Sequence, residues 1–276
     1  MRLPMVHLLA TIANDPDLMP AHLHALRGEI SLPEVSPHET WGVGYFADDR
    51  GLIVRKPASL LEHRSAYGIG GDLKSRIVFV CARPEANQAD APPFRFRRWL
   101  FGYAGDLSAV GALQGSVAPR LPSFAHDVLG DGHGGRLAHA MFLSELHRAD
   151  LLEDPLVEPG AVAQALDRTA QALEVLGEEA GVERFEACFV ASNGRVVVVT
   201  RAGRPVWIRE VVGLDSLPEG PVDETLNDFK EVVAALRRFR AHVVALNVEG
   251  ESQSHWTPLS HRGTTAFDAA LAVSHL

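Results

Sequence analysis

Cys81 and Arg83, two residues apart in the strand-like run IVFVCAR, place a thiol beside a guanidinium. An even offset along an extended strand puts both side chains on one face. An apolar strand disfavours the thiolate, however, and leaves such a thiol inert. Cys188 sits in similar surroundings, FEACFVAS, so two buried, unpaired thiols are expected, as suits a reducing cytoplasm. His133 and His139, with Asp131, raise the question of a metal. Their spacing of six sets the imidazoles on nearly opposite faces of a helix, and no Cys/His pattern of the zinc type occurs, so no metal or other cofactor is expected. YGIGGDL lacks the preceding strand and the Lys-Ser/Thr ending of a phosphate loop and reads as a turn. His255 and His261 read as surface-loop residues, and no Gly-x-Ser-x-Gly nucleophile elbow is present.

The elements that must hold these side chains follow from the hydrophobic periods. A short apolar strand runs from Met5 to Ile12, and NDPDLMP leads into a short helix carrying His22 and His24, with Asp15 or Asp17 as cap. WGVGYF, ADDRG and LIVRKPA form a hairpin. SLLEHRSAYG suits a helix, SRIVFVCAR a strand buried on both faces, RRWLFGYAG another strand and DLSAVGALQG a short helix. Helical spacing of apolar residues marks 136–152 and, more strongly, 158–180. FEACFVAS, RVVVVTR and RPVWIREVV then read as a meander joined by NG and AG turns. FKEVVAALRRFR reads as a helix, AHVVALNV as a strand, and HWTPLSHRGTTAFDAAL as a last turn and strand.

Strands, two adjacent helices and strands again do not make the βαβ alternation of a doubly wound sheet. The order predicts an α+β fold, two antiparallel sheets packed face to face with helix layers outside, in one domain spanning 1–276, with no repeat or linker.

The 276 residues are 46% hydrophobic, ample for a core, and carry a formal net charge of −9. An acidic chain repels phosphate backbones, so no nucleic-acid partner is expected. The one compact basic cluster, Arg95, Arg97 and Arg98 in PPFRFRRW, reads as a solvated strand face. No apolar run approaches the roughly 20 residues of a membrane helix, so no membrane partner is expected and the location reads as cytoplasmic.

Four segments in order resemble the class II, N-terminal-nucleophile glutamine amidotransferases, specifically the small stand-alone branch that includes the ergothioneine-pathway γ-glutamyl hydrolase. They are MVHLLATIAN, ETWGVGYF, the stretch VCAR…APPFRFRRWLFGYAGDL, and GDGHGGRLAHAMFLSEL. The resemblance implies the four-layer αββα sandwich of that family. In it, a mature N-terminal cysteine attacks the glutamine amide with its own α-amine as base. The matching residue here is Val6, which has no nucleophile, and a start at Met5 would leave Val6 next in line. The family's oxyanion pair is Asn-Gly, whereas this chain has Tyr103-Ala104-Gly105: Gly105 keeps its N–H and Ala104 offers no amide donor. Removing one oxyanion donor costs about 10²–10³ in rate. Arg83 matches the arginine that holds the substrate α-carboxylate, and His133 replaces the aspartate that holds the α-ammonium. Glu39-Thr40 and Pro92 replace the family Asp-Gly and His, while Trp41, Gly42, Gly44, Trp99 and Phe101 remain.

The expectation is a domain without glutaminase activity that keeps an altered cleft, lined by Arg83, Tyr103, Ala104, Gly105, His133 and Trp41, for a small carboxylate or amino-acid-like ligand, or that docks on a protein partner. The competing expectation is an active amidohydrolase or γ-glutamyl-type hydrolase that uses Cys81 or an activated water as a displaced nucleophile.

Overall fold

The run HLLATIA has no polar face because it meets no solvent: β1 (His7–Ala13) is buried at all seven positions. In the computed structural model, which describes residues 7–26, 30, 40–57, 73–83, 90–214, 229–246, 248, 254–260 and 262–276, β1 lies inside a seven-stranded antiparallel sheet. Its neighbours are β4 (Ile77–Arg83) and β10 (Arg240–Ala245). Outside β4 lie β2 (Thr40–Ala47) and, at the edge, β3 (Arg50–Pro57). Outside β10 lie β9 (Trp207–Val212) and the two-residue β11 (Thr257–Pro258). The second sheet has six strands, with β5 (Phe94–Phe96) at one edge, then β6 (Trp99–Gly105), β7 (Ala187–Ser192), β8 (Val197–Ala202), β12 (Thr264–Phe267) and β13 (Val273–His275).

Alternation along each strand sorts side chains into layers. Leu8, Ala10 and Ile12 of β1 join Phe79 and Cys81 of β4, Leu100 and Ala104 of β6, and Cys188 and Val190 of β7 in one apolar layer between the sheets. The opposite parity faces helices. Leu9, Val43 and Val80 pack with Met19 and Leu23 of α1 (Met19–Ala25), and with Leu236 of α7 (Phe229–Arg238). Trp99, Phe101 and Tyr103 pack under α5 (Gly134–Arg148) and α6 (Pro159–Glu179), with Leu137, Phe142, Val162, Leu166 and Leu173 as the helical stripe. Proline opens the 21-residue α6, where a missing N–H costs nothing. The result is the expected α+β sandwich of two antiparallel sheets with helices outside.

Local details depart from the sequence reading. The three-strand meander does not form. β7 and β8 pair through the NG turn, but the far side of β8 is taken by β12, so β9 crosses to the other sheet and pairs with β10. Gly203, at φ 86°, turns the chain away there. DLSAVGALQG forms two short helices, α2 (Ser108–Ala112) and α3 (Gln114–Val117), followed by a turn of 3₁₀ helix and by α4 (Ser123–His126). The cap of α1 is Leu18 without a side-chain hydrogen bond, and Asp15 instead accepts from the N–H of Asp17. The last turn and strand resolve into β11, β12 and β13. Arg97 and Arg98 do not share a strand face with Arg95: they form the β5–β6 turn, with Arg97 at φ 52°. The expected helix SLLEHRSAYG and most of the YGIGGDL turn lie outside the described residues.

Two close approaches need glycine. A Cβ on Gly42 would stand 2.0 Å from the Pro92 carbonyl oxygen, and one on Gly134 would stand 1.9 Å from the Leu107 carbonyl oxygen. Both obstacles are backbone. Gly134→Ala is therefore expected to lower stability by about 1–3 kcal/mol or more, as overpacking does, read as a lower urea midpoint. An unchanged midpoint would show that α5 does not need this contact.

Candidate functional site

The cross-strand register lays out the floor of the site. Leu8, Cys81, Gly42 and Arg55 are successive partners across β1, β4, β2 and β3. Leu8 and Cys81 belong to the layer between the sheets, so Arg55 enters that layer from its edge. A guanidinium there must find acceptors. Arg55 Nε donates to the Ala91 carbonyl at 2.7 Å and Nη2 to the Pro93 carbonyl at 2.7 Å, tying β3 to the approach of β5. Arg95 returns the tie: its Nη1 donates to the Gly51 carbonyl of β3 at 2.9 Å. Burial and the neighbouring Arg136 charge lower the Arg55 pKa from its usual value.

Phe94 is the centre of the next layer. Its ring stacks on Tyr103 with centroids 6.1 Å apart and on His139 at 5.7 Å, and meets His133 edge-on at 6.1 Å. The Arg136 guanidinium sits over the same ring, 5.6 Å from its centroid. Arg136 Nε donates to Asp90 Oδ1 at 2.6 Å. His139 is held between Phe94 and Phe101, the latter at 5.4 Å, and is 1% exposed. Among the described residues its Nε2 has no hydrogen-bond partner. Burial, then the Arg136 charge, lowers its pKa to about 3, so it is a neutral imidazole at ordinary pH. Between β3, β5 and α5, Arg55, Phe94, Arg95, Asp127, Arg136 and His139 line a cavity of about 470 Å³.

The residues singled out from the sequence fall into separate places. Tyr103 and His133 meet around Phe94. His133 is the N-cap of α5, its Nδ1 accepting from the Arg136 N–H at 3.3 Å. Nδ1 therefore lacks a proton, which leaves Nε2 as the protonated, donating nitrogen of the neutral ring. Tyr103 is buried on the helix side of its sheet, where a Cβ on Gly135 would collide with its ring. Ala104 is fully buried between the sheets, opposite Cys188. Gly105 ends β6 at φ 134°, a conformation suited to glycine, with no space for a Cβ beside the Glu186 carbonyl. Trp41 is 1% exposed on the helix side of the other sheet, 6.5 Å from the His7 ring and nearly parallel to it. The Arg83 backbone pairs with Thr40 at the end of β4. Val6, Glu39 and the Arg83 side chain lie outside the described residues, as does His261; His255 is exposed.

Cys81 and Cys188 form no disulfide and are both fully buried, as expected of strand thiols, and burial raises the Cys188 pKa to about 12. Among the described residues, no group of three or more His, Cys, Asp or Glu side chains is placed to hold a metal ion, and no helix is long and apolar enough to cross a membrane.

Sequence reasoning alone does not single out Arg55, Arg136 or Asp90. A usable signal for Arg55 existed: Gly51, Ile53 and Arg55 share one strand face, and a charge on the inward face of a hairpin is unusual.

No family model matches the chain, and no curated protein matches it. Solved structures do. A glutamine aminotransferase class-II domain protein from Silicibacter pomeroyi superposes with a TM-score of 0.58 at 15% identity, covering 98% of each chain. Glutamine phosphoribosylpyrophosphate amidotransferase from B. subtilis, complexed with ADP and GMP, gives 0.56 at 9% identity over 98% of this chain. A structure of the allosteric regulatory enzyme of purine biosynthesis gives 0.57 at 9%. This chain spans about half the length of the latter two, 48% in each case. At these identities the likeness establishes the fold alone, the one these solved structures share.

Three buried histidines make the fold sensitive to acid. Burial is the main cause in each: His7 is lowered to about 4, helped by Arg204, and His22 to about 3, helped by Arg209, alongside His139 at about 3. An unfolded histidine takes up its proton near pH 6.5, so between that pH and the lowered values the unfolded chain binds more protons. Stability then falls as pH falls, by up to about 1.4 kcal/mol per pH unit for each group. The urea midpoint is expected to drop between pH 7.5 and 5.5, and His139→Phe, which keeps the ring stack, is expected to make the drop shallower. A midpoint independent of pH over this range would contradict neutral burial.

Proposed function

We propose that this chain is an amidotransferase-fold domain without glutaminase chemistry, whose cleft binds a small carboxylate-bearing ligand or supports docking on a protein partner. The observation that carries the reading is the state of the β6 terminus. Where the resemblance calls for an oxyanion asparagine, Ala104 presents a methyl group sealed between the sheets, and Val6 stands at the position of the nucleophile. The ammonium subsite points the same way. At the position of the family aspartate, His133 has its Nδ1 occupied as a helix cap, so its other nitrogen is a donor and has no lone pair for an ammonium group. A carboxylate facing Arg83, without a neighbouring ammonium, fits these replacements better than a free amino acid.

The competing reading is a hydrolase that uses Cys81 or an activated water as displaced nucleophile, and its Cys81 form needs a thiol that substrate can reach. Cys81 is 0% exposed in the apolar inter-sheet layer. A nucleophile must approach the reacting atom to about 3–3.5 Å, and burial between the sheets counts against that approach.

Glutamine incubated with the purified chain is expected to release no more glutamate than a heat-denatured control; sustained turnover above that control would overturn the proposal. For the ligand, thermal shifts with glutarate, glutamate and γ-glutamyl compounds, repeated on Arg83→Ala, are expected to reveal stabilisation of several degrees that the variant loses, since a ligand at 100 times its Kd stabilises by about 2.7 kcal/mol. No shift from any compound would remove the small-ligand half of the proposal and leave docking.

A further inference from the structure

We propose that the cavity between β3, β5 and α5 is a second binding site, for a small molecule whose carboxylate or phosphate group is received by Arg55, Arg95 and Arg136. It shares no residue with the Arg83 cleft and does not depend on whether glutamine is hydrolysed.

Three observations meet at this place. The first is charge. Three guanidiniums line the cavity and Asp127 is the lining carboxylate, with Asp90 held by Arg136 from beside it. Among the described residues neither Arg55 nor Arg95 forms an ion pair, so the cavity is cationic on a chain whose net charge is −9. Like charges brought together in a partly buried place cost stability unless an anion joins them. The second is rigidity. Arg55 and Arg95 are fixed by backbone carbonyls, and Arg136 by Asp90 and the Phe94 ring, so little side-chain freedom remains to be lost on binding. The third is an orphaned polar atom. His139 lines the cavity, and among the described residues its Nε2 has no hydrogen-bond partner, at 1% exposure. A buried ring nitrogen without a partner costs free energy that a ligand hydrogen bond would recover. The stacked rings of Phe94 and His139 give a flat apolar wall for the rest of the molecule, and about 470 Å³ is room for a small metabolite.

Three guanidiniums in this arrangement accept either a carboxylate or a phosphate, and probes of each kind separate them. Orthophosphate, citrate and glutarate would be titrated into the full chain by calorimetry, in buffer of matched ionic strength. The imidazole resonances of His139 would be followed in parallel by long-range ¹H–¹⁵N spectra. Saturable binding of at least one probe is expected, with a shift at His139 Nε2. Arg95→Gln is expected to weaken binding about tenfold or more, the loss of roughly one charge-assisted contact. Arg136→Lys, which keeps the charge but not the fork, tests the same point with less risk to the Asp90 pair, and Arg83→Ala is expected to change nothing. Two results would overturn the proposal. One is the absence of saturable binding by every probe. The other is binding that Arg95→Gln and Arg136→Lys leave intact, including binding abolished by Arg83→Ala, which would assign the anion to the other cleft while sparing the reading of the fold.

Discussion

The whole molecule depends on one constraint: the apolar faces of two sheets press together, and the layer between them has to stay dry. Leu8, Ile12, Phe79, Leu100, Val190 and Val199 satisfy this with side chains that make no polar demand. Polar groups and thiols within the layer are then either sealed away from water or pushed to its margin. Cys81 and Cys188 are both sealed within it, and burial holds the Cys188 thiol well above the usual thiol range. Arg55 is at the margin, where the carbonyls of Ala91 and Pro93 replace the water it loses. The same dryness that makes β6 a good core strand seals the Ala104 methyl group between the sheets.

How far this was legible in the sequence depends on the distance over which each feature is decided. The NG hairpin of β7 and β8 and the helices α5 and α6 are decided locally, by turn chemistry and apolar period, and were readable to within a few residues. The destination of β9 is decided by competition: β12, some sixty residues further on, occupies the edge of β8 that a meander would use, and nothing local to RPVWIREVV records that. The aromatic and arginine cluster was illegible for the same reason. Arg55, Phe94 and Arg136 come from a hairpin, an edge strand and a helix start, and only the tertiary fold brings them together. Trp41 shows a subtler limit. Its neighbours Gly42 and Gly44 face the sandwich interior, so strict alternation sends Trp41 to the helix side, a consequence of parity that a motif match does not express.

Histidines carry much of the polar architecture here, and the deeply buried ones, His22 and His139, do so as neutral rings. His22 bonds Thr11 and leans on Phe239; His139 lies between two phenylalanines; His133 lends a ring nitrogen to a helix start. Each is used as a flat aromatic with one or two polar atoms, which fills space as phenylalanine would while still meeting a nearby donor or acceptor. Such rings are sound packing units at neutral pH and poor ones in acid.

The tie between Arg95 and the Gly51 carbonyl has a consequence for association. β3 and β5 are the outer strands of their sheets on the same side of the sandwich, and open edges invite foreign strands to continue the ladder. Here a guanidinium from one edge already occupies a carbonyl of the other, and Arg55 takes two carbonyls on the way into β5. An approaching strand would meet acceptors already taken and charge where it needs a flat backbone. The arginines that make the edge attractive to a small anion thus also guard it against fibrous growth.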